Sequence, residues 1–177
     1  MPSRPLRSLF LAIVLSAGLA KAALAQPGTP SFRTKTVSIG PILTTVGDMD
    51  RSVDFYSRVL TFEKVSDREI AGDEVEHLFS VFGARVRLVG MKLGDESIEL
   101  AQFLAPRGRP IPVDSRSNDL WFQHIAIIVS DMDRAYRILR QNKVEFASSG
   151  PQRLPDWNKT AGGIEAFYFK DLDEHPI

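Results

Sequence analysis

The sequence predicts an α+β chain built from two tandem βαβββ units, and three observations carry that expectation. The hexapeptide Val46-Gly-Asp-Met-Asp-Arg51 returns 83 residues later as Val129-Ser-Asp-Met-Asp-Arg134. Each copy closes a short apolar run and opens an amphipathic pattern at helical spacing, so one unit is present twice. Between the copies, Ala84 to Leu93 and Ser97 to Leu104 alternate apolar and polar residues, the signature of half-buried strands.

Taken in order, residues 1–25 read as a secretory signal peptide. Arg4 and Arg7 precede an apolar run from Leu9 to Ala20, and an Ala23-Leu-Ala25 cleavage site follows. The run is shorter than the roughly 20 residues a membrane-spanning helix needs. The expectation is therefore a secreted or periplasmic protein, free of the membrane once processed. Residues 26–36, with Pro27, Gly28 and Pro30, read as an aperiodic linker.

The first module is expected over residues 37–105. Ile39 to Val46 reads as a strand, and Asp48 stands where it would N-cap a helix with Val53, Tyr56, Val59 and Leu60 turned inward. Thr61 to Arg68 reads as a second strand. Gly72 to Gly83 reads as a short helix presenting Val75, Leu78, Phe79 and Phe82. Two further strands follow, joined by a hairpin turn at Gly94-Asp-Glu. Residues 106–120, rich in Pro, Arg, Ser and Asp, connect the copies.

The second module, residues 121–177, repeats the pattern: a strand over Phe122 to Val129, an N-cap at Asp131, and a helix burying Met132, Ala135, Ile138 and Leu139. Short strands are expected at Val144 to Ala147 and Ile164 to Lys170. An equivalent of Ser97 to Leu104 is missing, so this module is expected to lack its last strand, leaving an edge to be covered. On this reading the chain is a fragment of a longer protein.

Composition narrows the function. The chain carries 22 basic and 22 acidic residues, and three of the basic ones (Arg4, Arg7, Lys21) fall in the first 25 positions, where no acidic residue lies. From Gln26 onward 19 basic residues face 22 acidic ones. No basic footprint for a phosphate backbone exists, so nucleic acid is not expected as a partner. The absence of Cys excludes disulfides and thiolate chemistry. No serine or cysteine nucleophile motif, phosphate loop or dinucleotide fingerprint appears.

The paired units, the strand-Asp-Met-Asp-helix start and the segment Phe167-Tyr-Phe-Lys-Asp-Leu-Asp-Glu-His-Pro176 resemble the vicinal oxygen chelate superfamily. That superfamily includes glyoxalase I, bleomycin-resistance proteins, methylmalonyl-CoA epimerase and extradiol dioxygenases. The likeness spans roughly residues 38 to 177. It implies that the modules form a cup-shaped mixed sheet around a divalent metal (Fe, Mn, Zn or Ni), with ligands on the first and last strands of each module. Of the four ligand positions, Glu99 and His124 match; Pro41 stands at the third, and the fourth would fall just beyond Ile177. Proline cannot ligate, and two donors are fewer than such metals usually take.

The resemblance implies a metal-dependent lyase, isomerase or dioxygenase acting on a small vicinal-oxygen substrate, with Glu99 and His124 as metal ligands and His77 as a proton-transfer residue. A metal-free ligand-binding protein similar to bleomycin-resistance proteins is the alternative, favoured by Pro41; a truncated, non-functional fragment is a third. A homodimer is compatible with all three.

Each site residue also has a plainer reading. His124 suits packing between sheets, Glu99 suits solvent, and His77 suits an exposed helix face. Arg85 and Arg87 share one strand face and suit either an anionic substrate or water. Trp121, Phe122, Phe103, Phe167 and Phe169 suit a ligand cavity or a core. His175 is expected to order the terminal turn. That turn, Asp171-Leu-Asp-Glu-His175, has Glu174 where the family has Gly; a positive φ there costs Glu174 about 1 kcal/mol or more, leaving the last strand open to a different placement.

Overall fold

Strand β1 (Ile42–Thr45) and helix α1 (Met49–Arg58) open the ordered architecture of the computed structural model, which describes residues 40–177. The expected leader and linker lie outside the described residues. Asp48 caps α1 as its position predicts: its backbone is extended, and its carboxylate accepts from the amide of Arg51 at 3.1 Å. Asp131 repeats this at α3 (Met132–Gln141), accepting from Arg134 at 2.8 Å, so both copies start their helices with one chemistry.

Strand β2 (Glu63–Ala71), helix α2 (Asp73–Phe79), β3 (Arg85–Leu93) and β4 (Glu96–Ala105) complete the first copy. The strands form one mixed sheet in the order β1-β4-β3-β2, with β1 parallel to β4 and the other pairs antiparallel. Gly94 takes φ +60° in the β3–β4 hairpin, which an ordinary side chain would resist.

Alternation along the strands gives the sheet two faces. One carries Val89, Met91, Ile98 and Leu100 against Met49, Phe55, Tyr56 and Leu60 of the α1 segment, and Leu139 and Phe169 of the second copy join this core. Full burial of Met49, Met91 and Leu100 stabilises the fold by about 1.5–3 kcal/mol each. The opposite face carries Val86, Leu88 and Ala101, partly covered by Val75 and Phe79 of α2. Leu78 and Phe82, expected on the same short helix, are both exposed: Leu78 lies on the side of α2 away from the sheet, and Phe82 lies beyond the helix, which ends at Phe79. Ile138 of α3 is likewise exposed rather than buried.

The second copy departs from its expected strands. Phe122 to Val129 forms no strand, and none of the backbone groups of residues 123–130 has a hydrogen-bonding partner among the described residues. The physical reason is visible in the first copy, where β1 is held only by β4; no described segment plays that part in the second. Val144 to Ala147 is reduced to a bridge between Phe146 and Phe169. Ile164 to Lys170 retains β6 (Glu165–Ala166), paired with β5 (Gln152–Arg153).

The C-terminal turn attaches the second copy to the first. Asp173 accepts from the amide of Gly47 at 3.1 Å and from Ser52 at 3.3 Å, while buried Asp171 accepts from Tyr56 at 3.0 Å. His175 orders the turn, with Nδ1 2.9 Å from Asp171 Oδ2 and its amide bonded to Oδ1. Glu174 adopts φ +72° and its carboxylate reaches Lys170, so the strained geometry is held by an ion pair. No helix among the described residues is long and apolar enough to cross a membrane.

Candidate functional site

Strand register builds a polar site on the sheet face opposite α1. Leu43, Glu99, Gly90 and Ser66 form one row across the four strands, and Thr45, Ala101, Leu88 and Arg68 form the next. Arg68 on β2 and Glu99 on β4 therefore project from the same side with β3 between them. The Arg68 guanidinium crosses β3 and meets Glu99 Oε1 at 2.7 Å. Gly90 lies beneath this crossing, and a Cβ there would come within 2.6 Å of the Ser66 hydroxyl, which accepts the Gly90 amide proton at 3.1 Å. Arg68 is half exposed and Glu99 22% exposed, so the pair is open to a ligand from one side.

The other sequence-predicted site residues lie elsewhere. His124 is exposed on the unpaired segment, edge-on to Tyr168 with ring centroids 5.1 Å apart and tilted against Phe122 at 6.1 Å. His77 is exposed on α2, and its side chain has no hydrogen-bond partner among the described residues. Arg87 faces α1 rather than Glu99, and it is fully engaged: Nε and Nη2 reach Asp67 at 2.9 Å, and Nη1 reaches Asp50 at 2.9 Å. Those bonds hold the Asp67 carboxyl down at about 2. Phe103 and Phe169 take the core reading, whereas Trp121 and Phe122 line a cleft.

That cleft, about 530 Å³, runs between the connecting segment and the second copy, walled by Trp121, Phe122, Phe146 and Tyr168 with Lys170 at its base. Its size suits a small ligand. Lys170 is held there by Glu145 at 2.7 Å and Glu174 at 2.6 Å, hydrogen bonds that raise its pKa against the opposing effect of burial. Both carboxylates that line it are thus spent, and Glu99 and His77 are not part of it.

The donor set does not fit a resident divalent metal. No group of three or more His, Cys, Asp or Glu side chains converges among the described residues. Glu99 is bonded to Arg68, and a guanidinium beside a carboxylate opposes the arrival of a second cation. The side chain of Pro41 has no donor atom to offer. Sequence reading missed Arg68, whose position had been read only as the end of a strand. The signal was present in the register: once β3 and β4 pair through the Gly94 hairpin, alternation puts residues 66 and 68 on the side of Glu99.

The chain matches the family model of the Glyoxalase/Bleomycin resistance protein/Dioxygenase superfamily over residues 38–177, and it belongs to that superfamily. A 2-epi-5-epi-valiolone epimerase from an Actinomyces species is 29% identical over 125 residues, 68% of this chain and 67% of that protein. A glyoxalase family protein from Bacillus cereus superposes with a TM-score of 0.68 over 83% of this chain and 95% of its own, at 15% identity. A glyoxylase/bleomycin resistance protein/dioxygenase domain from a Frankia species does so with a TM-score of 0.56 over 80% and 89%, at 17% identity. These structural likenesses establish the fold, and one fold in such a superfamily hosts many chemistries.

Proposed function

We propose that this chain is a small-molecule-binding member of the superfamily that engages its ligand without a resident metal ion. The observation that carries the reading is the 2.7 Å bond between Arg68 and Glu99, the one carboxylate at a family ligand position. Elemental analysis of the purified protein tests it: substoichiometric metal, with ligand binding unchanged by a chelator, is the expected result. Stoichiometric metal that disappears in His124→Ala would defeat it.

A metal-dependent isomerase is the second reading, favoured by the named activity of the epimerase relative. It would use Glu99 and His124 as ligands and His77 for proton transfer, and it requires Arg68 to release Glu99. Activity abolished by His124→Ala and by His77→Ala with the fold intact would establish it. Export is a further part of the proposal, supported by Arg4, Arg7, the Leu9 to Ala20 run and Ala23-Leu-Ala25. Protein recovered from the periplasmic fraction should begin at Gln26; an intact N-terminus in the cytoplasm would contradict it.

A further inference from the structure

Helix α2 is weakly tied to the rest of the first copy. The segment 72–84 leaves the sheet after Ala71 and rejoins it at Arg85, and those two residues face each other across the β2–β3 ladder. The backbone hydrogen bonds of α2 and the turn after it run within the segment, from Val75 and Glu76 to Gly72 at 3.0 Å and from Val81 to Glu76 at 3.1 Å. No residue of α2 is buried, and no side chain caps its N-terminus. Its own side chains enter no hydrogen bond or ion pair among the described residues. Gly72 and Gly83, just outside its two ends, hold φ +110° and +69°. Small residues at the ends of an element are where a hinge absorbs its rotation.

Beneath α2 lies an apolar floor. Val86, Leu88 and Ala101 are buried, and the side chains from outside the sheet that pack on them are Val75, Phe79 and Val81. Phe79 meets Phe103 edge-on, with ring centroids 5.3 Å apart. Leu88 and Ala101 stand in one row with Arg68, and Glu99 stands in the next. The floor therefore runs up to the Arg68–Glu99 pair, and the space beside that pair is filled by the chain's own α2. Segments with few buried contacts and no anchoring bonds are the ones that open locally while the rest of a fold stays intact. The other face of β3 differs: Val89 there is covered by α1 and belongs to the core that both copies share.

We infer that α2 is a hinged lid, closed over an apolar pocket floor beside Arg68 and Glu99, with Phe79 as its plug. Rotation about Gly72 and Gly83 lifts Val75, Phe79 and Val81 off Val86, Leu88 and Ala101 without breaking a strand pair, because Ala71 and Arg85 stay in register. The space it opens is continuous with the polar pair. A ligand whose apolar part takes the place of Phe79 binds the open form alone and shifts the population toward it. The inference rests on the small-molecule-binding reading above and adds how that site is closed.

The chain has no cysteine, so a single introduced thiol reports exposure at its own position. Val86→Cys and Val89→Cys place that thiol on opposite faces of β3, at two residues that are both 0% exposed. The full-length variants are labelled with dithiobis(nitrobenzoate) in native buffer, and each rate is referred to the variant's global stability from urea denaturation. Val86→Cys is expected to react at least tenfold faster than Val89→Cys. Its rate should change little in low urea, since lifting a lid exposes little surface, whereas the Val89→Cys rate should climb with global unfolding. Adding Phe79→Ala should speed labelling of Val86→Cys and leave that of Val89→Cys at its referred rate. Should Val86→Cys not fold, Ala101→Cys supplies a thiol under the same lid, also from a residue 0% exposed. Equal rates with equal urea dependence at the two faces mean that the floor is reached only by unfolding, and overturn the lid. A rate beneath α2 that Phe79→Ala leaves unchanged overturns the plug. Neither result touches the metal-free reading, which metal content decides.

Discussion

The hydroxyl of Tyr56 donates to Oδ2 of Asp171 at 3.0 Å, joining the first helix to a turn 115 residues further along the chain. Both groups are buried, and the bond sits where the second copy docks on the first. Burial first, and the charge of Asp171 second, push the Tyr56 hydroxyl above its usual range, which keeps it protonated as the donor of this bond. Tyr56→Phe removes the donor and leaves a buried carboxylate short of a partner, a loss of about 1–3 kcal/mol. Urea denaturation of the variant measures it, and an unchanged midpoint would show that the turn does not depend on this bond.

The Asp171–His175 pair predicts a stability that falls on both sides of neutrality. Burial disfavours both charges, but their mutual hydrogen bond and attraction win, so Asp171 lies below its ordinary value and His175 above. A carboxyl lowered by folding contributes stability above its unfolded pKa and loses it as pH falls through the folded one. A histidine raised by folding contributes below about 6.5 and loses the contribution as pH rises through its folded pKa. Denaturation midpoints from pH 2 to 9 should therefore decline at both ends, and His175→Gln should abolish the alkaline decline and weaken the acid one, since His175 is the first of the groups that lower Asp171. A wild-type alkaline limb retained in His175→Gln would place its origin elsewhere.

Glu174 holds φ +72° in the terminal turn, a conformation glycine adopts without a Cβ penalty. Glu174→Gly relieves that strain while losing the contact to Lys170, which keeps Glu145 as a partner. The variant should be at least as stable as the wild type. Glu174→Ala keeps the Cβ and loses the ion pair, and should fall about 1 kcal/mol below Glu174→Gly. Equal stabilities for the two variants would contradict the strain argument.

Gly90 leaves room for the Ser66 hydroxyl beside β3. Gly90→Ala places a methyl 2.6 Å from the Ser66 hydroxyl, which must move and give up the Gly90 amide. Overpacking of this kind costs about 1–3 kcal/mol. Thermal melts should show that loss; a variant as stable as wild type would mean Ser66 is free to rotate away.

Much of this fold was legible in the sequence because local chemistry specified it. The Asp48 and Asp131 caps, the helix after each, and the β3–β4 hairpin depend on neighbours within a few residues. The strands of the second copy were misread because a strand is completed by its partner, and the alternation in Phe122 to Val129 shows only that the segment could pair. The resemblance made Glu99 and His124 visible as candidate positions. What holds Glu99 was not, since Arg68 lies 31 residues away and only sheet register brings them together.

The most direct test of the account is a calorimetric titration of Mn²⁺ into the purified, chelator-treated protein beside its Glu99→Gln variant. The account predicts no one-to-one binding isotherm in either, because the Glu99 carboxylate is committed to Arg68. A stoichiometric site in the wild type that Glu99→Gln removes would contradict it and assign the carboxylate to a metal.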